Sequence, residues 1–190
     1  MINMTKKTKK ARRTITLKYT FRNDILFKIL FLKHPELLKH LVACILNIPM
    51  SELKDFRIIN SEMPADILGS KFCRLDIAVV VNGVQINLEI QNWDESNFIE
   101  RTHFNWGRLY TMPLNSGDDY ALLKRTIVIS FVNFKLFKRE RFDSRYLALE
   151  AVDHEPLSND FEIRYFELPK VPEIAEIAPN NDLQLWLYRS

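Results

Sequence analysis

Residues 74–91 read RLDIAVVVNGVQINLEIQ, from Arg74 to Gln91. Asn82-Gly83 between two apolar runs predicts a tight hairpin, because a type I′ turn needs positive φ at both central residues. Counting outward from that turn, Val81 faces Val84, Val79 faces Ile86, Ile77 faces Leu88, Asp76 faces Glu89 and Arg74 faces Gln91. Side chains alternate between the two faces of a strand. Leu75, Ile77, Val79, Val81, Val84, Ile86, Leu88 and Ile90 therefore form one apolar face. Arg74, Asp76, Ala78, Val80, Gln85, Asn87, Glu89 and Gln91 form the other. The ordinary explanation is an amphipathic hairpin whose polar face meets solvent. Against it, Asp76 and Glu89 would be cross-strand neighbours, roughly 4.5–5.5 Å apart at Cβ, where like charges destabilise. A shared proton or a divalent cation would relieve that repulsion. Two carboxylates side by side on rigid strands suit a hard ion, Mg²⁺ or Mn²⁺.

The chain around this hairpin has 190 residues, 47% hydrophobic and 27% charged. That is ordinary globular composition, enough for one domain with a sizeable core, with or without tails. The net charge of +3 is unevenly spread. KKTKKARR, Lys6 to Arg13, holds six positive charges and no acid, and without it the remainder would be slightly acidic. Such a run is either a solvated terminus or an arm whose Lys9, Lys10, Arg12 and Arg13 lie along nucleic acid phosphates. No apolar stretch of signal-peptide length follows it, and no run is long enough to span a membrane. Cys44 and Cys73, far apart in apolar surroundings, read as two buried free thiols, which fits a cytoplasmic protein.

Along the chain, FRNDILFKILFLKH (21–34) reads as a helix that is apolar on nearly every side and hence buried between layers. Asp24 and Lys28 share one face of it, an arrangement that a surface ion pair would also explain. Pro35 opens a second helix, PELLKHLVACILN, and DFRIIN reads as a strand. After the hairpin, Asp94, Glu95 and Ser96 can start a helix that carries Arg101, Trp106, Arg108 and Tyr110. Arg101 and Arg108 fall on one face, either a solvated face over aromatic packing or one that contacts phosphates. RTIVISFVNF (125–134) fits a central buried strand, and the helix before it permits a crossover to a parallel neighbour. SRYLALEA and FEIRYFEL are further strands, LPKVPEIAEIAPNN is irregular, and DLQLWLYRS begins a last helix. A Gly-rich phosphate loop, His-Glu-x-x-His, Cys-x-x-Cys and a nucleophile elbow are all absent from the sequence.

Read in order, NDILFKILF, RLDIAVVVNGVQINLEIQ, FIERTHFNWGRLY, VISFVNFKLF and FEIRYFELPK resemble the PD-(D/E)XK nuclease family transposases, also called recombination-promoting nucleases. The similarity runs from about Tyr19 to Lys170. It implies an α/β, restriction-endonuclease-like core: a mixed central sheet with αβββαβ order, flanked by helices. It divides the chain into a basic arm (1–18), a nuclease-like domain (19–170) and a Pro-containing tail with the start of a C-terminal helix (171–190). It implies metal-dependent DNA cleavage in recombination or transposon-related processing, with Mg²⁺ or Mn²⁺ as cofactor, DNA as partner and no membrane.

Residue by residue, the resemblance makes Asp76 the metal-binding Asp, Glu89 the second acid and Asp24 the acid of the first helix. The main-chain carbonyl of Ile90 would face the metal. Two positions depart from the family's name: Leu75 stands at the Pro position and Gln91 at the Lys position. Gln can orient water by hydrogen bonds but lacks the charge of Lys. Lys28, one turn after Asp24, is the expected source of that charge, with Arg101, Arg108 and the arm on the DNA backbone. Paired cuts would call for a homodimer. The rival readings are a catalytically inactive nucleic-acid-binding module on the same fold and an interaction protein that uses the polar hairpin face.

Overall fold

A computed structural model of the protein describes residues 24–59 and 77–188. Two helices come first, α1 (Asp24–Lys33) and α2 (Pro35–Leu46), followed by the short strand β1 (Arg57–Ile59). The hairpin β2 (Ile77–Val81) and β3 (Val84–Gln91) leads into α3 (Phe98–Thr111) and β4 (Thr126–Val132). Two more strands, β5 (Asp143–Leu147) and β6 (Phe161–Glu167), and a final helix α4 (Asp182–Leu187) complete the order. One six-stranded mixed sheet results, ordered β1-β2-β3-β4-β6-β5. Flanked by helices, it is the expected restriction-endonuclease-like architecture.

The hairpin forms in the register that its turn predicts. Asn82 and Gly83 both have positive φ, 51° and 77°, and Val81 pairs with Val84, Val79 with Ile86 and Ile77 with Leu88. The turn is also tied down from outside. Asn82 Oδ1 accepts from Lys54 N at 2.7 Å, and Asn82 Nδ2 donates to Glu52 O at 2.8 Å. β3 and β4 are parallel, and α3 makes the crossover between them. β4 is also parallel to β6, and its seven residues are all buried, as its β-branched run requires.

The two faces of the sheet are covered differently. Ile77, Val79, Ile86, Leu88, Ile90, Ile127, Ile129 and Phe131 pack against Phe27 and Phe31 of α1 and Leu38, Leu41 and Val42 of α2. Leu187 of α4 is buried in the same cluster, with Leu183 and Trp186 packed against it. On the opposite face, Phe98 of α3 packs with Val128, Val132 and Tyr165, and Leu109 with Ala78.

Two expectations need correction. α1 is not enclosed on all sides: Ile29 and Leu32 are 45% and 51% exposed, because only the stripe through Phe27 and Phe31 meets the sheet. Cys44 is half-buried, not a core thiol, and its Sγ lies 3.7 Å from His40 Nδ1. Cys73 lies outside the described residues.

Candidate functional site

The polar face of β3 does not meet solvent. Gln85, Asn87, Glu89 and Gln91 of β3 are all buried, and α3 lies over them. A strand with eight alternating residues can be buried on both faces only if its polar side chains find partners. Here α3 and β4 supply most of those partners. Gln85 Nε2 donates to Leu109 O at 3.1 Å and to Thr126 Oγ1 at 3.2 Å. Thr102 Oγ1 and Tyr165 Oη share a hydrogen bond of 2.5 Å. Burial pushes the Tyr165 phenol up to about 12; the charge of Glu89 adds to this, and the bond from Thr102 opposes it. Asn87 is the exception. It is fully buried, and neither its Nδ2 nor its Oδ1 has a hydrogen-bond partner.

Glu89 is the centre of this layer. It is 5% exposed, and each carboxylate oxygen is engaged from a different element. Asn105 Nδ2 of α3 donates to Oε2 at 3.0 Å, and Ser130 Oγ of β4 donates to Oε1 at 3.1 Å. The parallel register sets Ser130 directly beside Glu89. Both donors are neutral, so they orient the carboxylate without neutralising it. A carboxylate has about four lone-pair sites, and these two bonds set its orientation. A buried carboxylate is itself a hard oxygen ligand, and one oriented this way fits a hard divalent cation.

Gln91, two residues on, is held at both ends of its amide. Nε2 donates to Trp93 O at 2.7 Å, and Oε1 accepts from Arg101 Nη2 at 2.6 Å. Arg101 is fixed by two more contacts: Nη1 lies 2.8 Å from Glu95 Oε2, and the guanidinium carbon lies 5.0 Å from the centre of the Phe98 ring. Gln91 O accepts from Asn133 N across the β4 side. Successive carbonyls of a strand point in opposite directions, so that of Ile90 points toward the β2 side.

The other expected site residues are distributed as follows. Asp76, Lys9, Lys10, Arg12 and Arg13 lie outside the described residues. The backbone of Asp24 opens α1, but its side chain is also outside them. Lys28 is half-buried on α1, the helix that covers the sheet face opposite to Glu89 and Gln91. Arg108 is half-buried, and its Nε has no hydrogen-bond partner. Aromatic packing lies beneath this helix, with Trp106 stacked on Tyr110 at 4.7 Å and its Nε1 donating to Thr126 O at 2.9 Å.

Sequence reading did not identify Asn105 or Ser130. Ser130 carried a signal, since it is the lone hydroxyl in the apolar run IVISFV and sits on a strand expected beside β3.

Among the described residues, one cluster brings three metal-ligating side chains together: His40, Cys44 and Asp182. Its chemistry disfavours a metal. Trp186 Nε1 donates to His40 Nδ1 at 2.7 Å, which places the imidazole proton on Nε2, toward Asp182 Oδ2 at 3.9 Å. Binding a cation through Nε2 would move that proton to Nδ1, against the indole N–H. The cluster instead ties α4 to α2.

The family model described as "PD-(D/E)XK nuclease family transposase" matches residues 21–189, and the chain belongs to that family. No curated protein and no solved structure matches it significantly.

Proposed function

We propose that this member of the PD-(D/E)XK nuclease family transposases hydrolyses phosphodiester bonds of DNA with the help of a divalent cation, Mg²⁺ or Mn²⁺. The observation that carries this reading is the orientation of Glu89: a buried carboxylate locked by neutral donors from α3 and β4. Burying an acid costs stability unless something is gained from it.

The cation would be held by Glu89, by Asp76 and by the carbonyl of Ile90, with Asp24 as a further acid. Ile77 pairs with Leu88, so a ladder continued by one residue would set Asp76 against Glu89. When bound, such an ion acidifies water and offsets charge on phosphate oxygens. In the reaction a water oxygen bonds to phosphorus and the bond from phosphorus to the sugar oxygen breaks. The water gives up a proton to solvent, and the departing oxygen takes one up. Glu89 and Gln91 fix the site's geometry, the first through its clamped carboxylate and the second through its amide. Arg108 and the basic arm, with Lys9, Lys10, Arg12 and Arg13, would contact phosphates, which makes binding weaken with salt.

The test is nicking of supercoiled plasmid by purified protein with and without divalent ions. Cleavage that requires the ion and disappears in Asp76→Ala supports the reading. DNA binding that is salt-sensitive and never followed by cleavage would instead identify a binding module on a nuclease fold.

A further inference from the structure

We propose that Arg101 is a catalytic residue, the cation that acts beside Gln91 on the scissile phosphate; this rests on the nuclease reading above. Phosphodiester hydrolysis builds negative charge on phosphate oxygens, and a fixed positive group there lowers the barrier. Gln91 is neutral, yet its amide oxygen holds the Arg101 guanidinium at 2.6 Å. An amide oxygen accepts that N–H, whereas an ammonium group at position 91 would repel it. Gln91 and Arg101 therefore work as one unit, the amide holding the charge that it does not itself carry.

The guanidinium is held on several sides. Glu95 takes its Nη1 at 2.8 Å, and the ring of Phe98, itself buried, lies 5.0 Å beneath its carbon. Its side chain is still 36% exposed, so a phosphate can reach it. A planar guanidinium with five donors matches phosphate oxygens while keeping its bond to Gln91. Lys28 is placed less favourably. Its helix packs on the Ile90 and Phe131 face of the sheet, whereas Gln91 and Glu89 point to the α3 face.

The experiment is single-turnover plasmid cleavage in Mn²⁺, with DNA affinity measured separately in Ca²⁺, for wild type, Arg101→Gln, Gln91→Lys, the double variant and Lys28→Ala. Arg101→Gln should lower the saturated rate by about 100-fold while DNA affinity changes by no more than about fivefold. Gln91→Lys should also slow cleavage and should lower the thermal midpoint, because two cations are then forced together. Combining it with Arg101→Gln should recover both the midpoint and a rate within about tenfold of wild type. Lys28→Ala should leave the saturated rate intact. The inference is overturned if Arg101→Gln weakens only affinity, or if the double variant is no better than the worse single one. Recovery of the midpoint is read without cleavage, so it tests the Gln91–Arg101 unit by itself. A wild-type protein inert with every divalent ion would overturn the nuclease reading and this role with it.

Discussion

Asn105 reaches from α3 to donate to Glu89 Oε2 at 3.0 Å, and this contact fixes one oxygen of the buried carboxylate. Ser130 fixes the other from β4. Removing either donor leaves a buried acceptor short of a partner, which costs about 1–3 kcal/mol. Such supporting contacts are commonly worth about 10–100-fold in metal affinity or activity. Asn105→Ala should therefore lower both the thermal midpoint and the affinity for Mn²⁺. Calorimetric titration checks the second effect. Unchanged Mn²⁺ affinity in a folded Asn105→Ala protein would show that the clamp does not serve the ion.

A second prediction concerns acid stability. Glu162 of β6 is fully buried and is ringed by Arg125 at 2.7 Å, Arg145 at 2.9 Å and Arg164. Burial alone would raise its carboxyl, but Arg145, Arg164 and Arg125 outweigh that and hold it down at about 2. A depressed folded pKa stabilises the protein above the unfolded value and loses that contribution as pH falls through the folded one. Glu162→Gln should cost about 3 kcal/mol at neutral pH, since it leaves three guanidinium groups around a neutral side chain. Denaturation curves from pH 6 to pH 2 should show the gap between wild type and variant closing below about pH 4.5. A gap that is constant over that range would contradict the assignment.

Asn87 leads to the opposite sign. Its amide is fully buried without a hydrogen bond, so the group pays a desolvation cost with no return. Replacement by an apolar side chain of similar size can be neutral or stabilising. Asn87→Leu should raise stability by about 1 kcal/mol in urea denaturation. A clear loss would mean that the amide is satisfied by an internal water in solution.

The hairpin turn provides a test of the fold itself. Gly83 has φ +77°, and a Cβ built there would meet nothing within 4 Å. The cost of Gly83→Ala is therefore purely conformational, about 1–2 kcal/mol. A larger loss, measured by thermal or urea unfolding, would point to a contact at the turn.

Much of this arrangement is legible in the sequence, because the relevant signals are local. Asn82-Gly83 sets a two-residue turn, and once the turn is known every pair from Val81↔Val84 to Ile77↔Leu88 follows. The β-branched run of β4 and the helix before it lead in the same way to a parallel neighbour. What alternation could not reveal is what covers the polar face. Alternation by itself sets Gln85 and Glu89 on a face that would ordinarily meet solvent, yet α3 buries them by turning Thr102 and Asn105 inward. The pairing of Arg101 with Gln91 was equally hidden. Ten residues separate them, and only the path of the chain from β3 into α3 brings the guanidinium back onto the strand end.

The central claim is that Glu89 and Asp76 jointly hold a divalent cation. Calorimetric titration of Mn²⁺ into the full chain, with DNA present, tests it most directly when wild type is set beside Glu89→Gln and Asp76→Asn. The account predicts uptake by wild type and loss of that uptake in both variants, with each variant still folded. Uptake that is undiminished in Glu89→Gln, or absent from wild type, would contradict it.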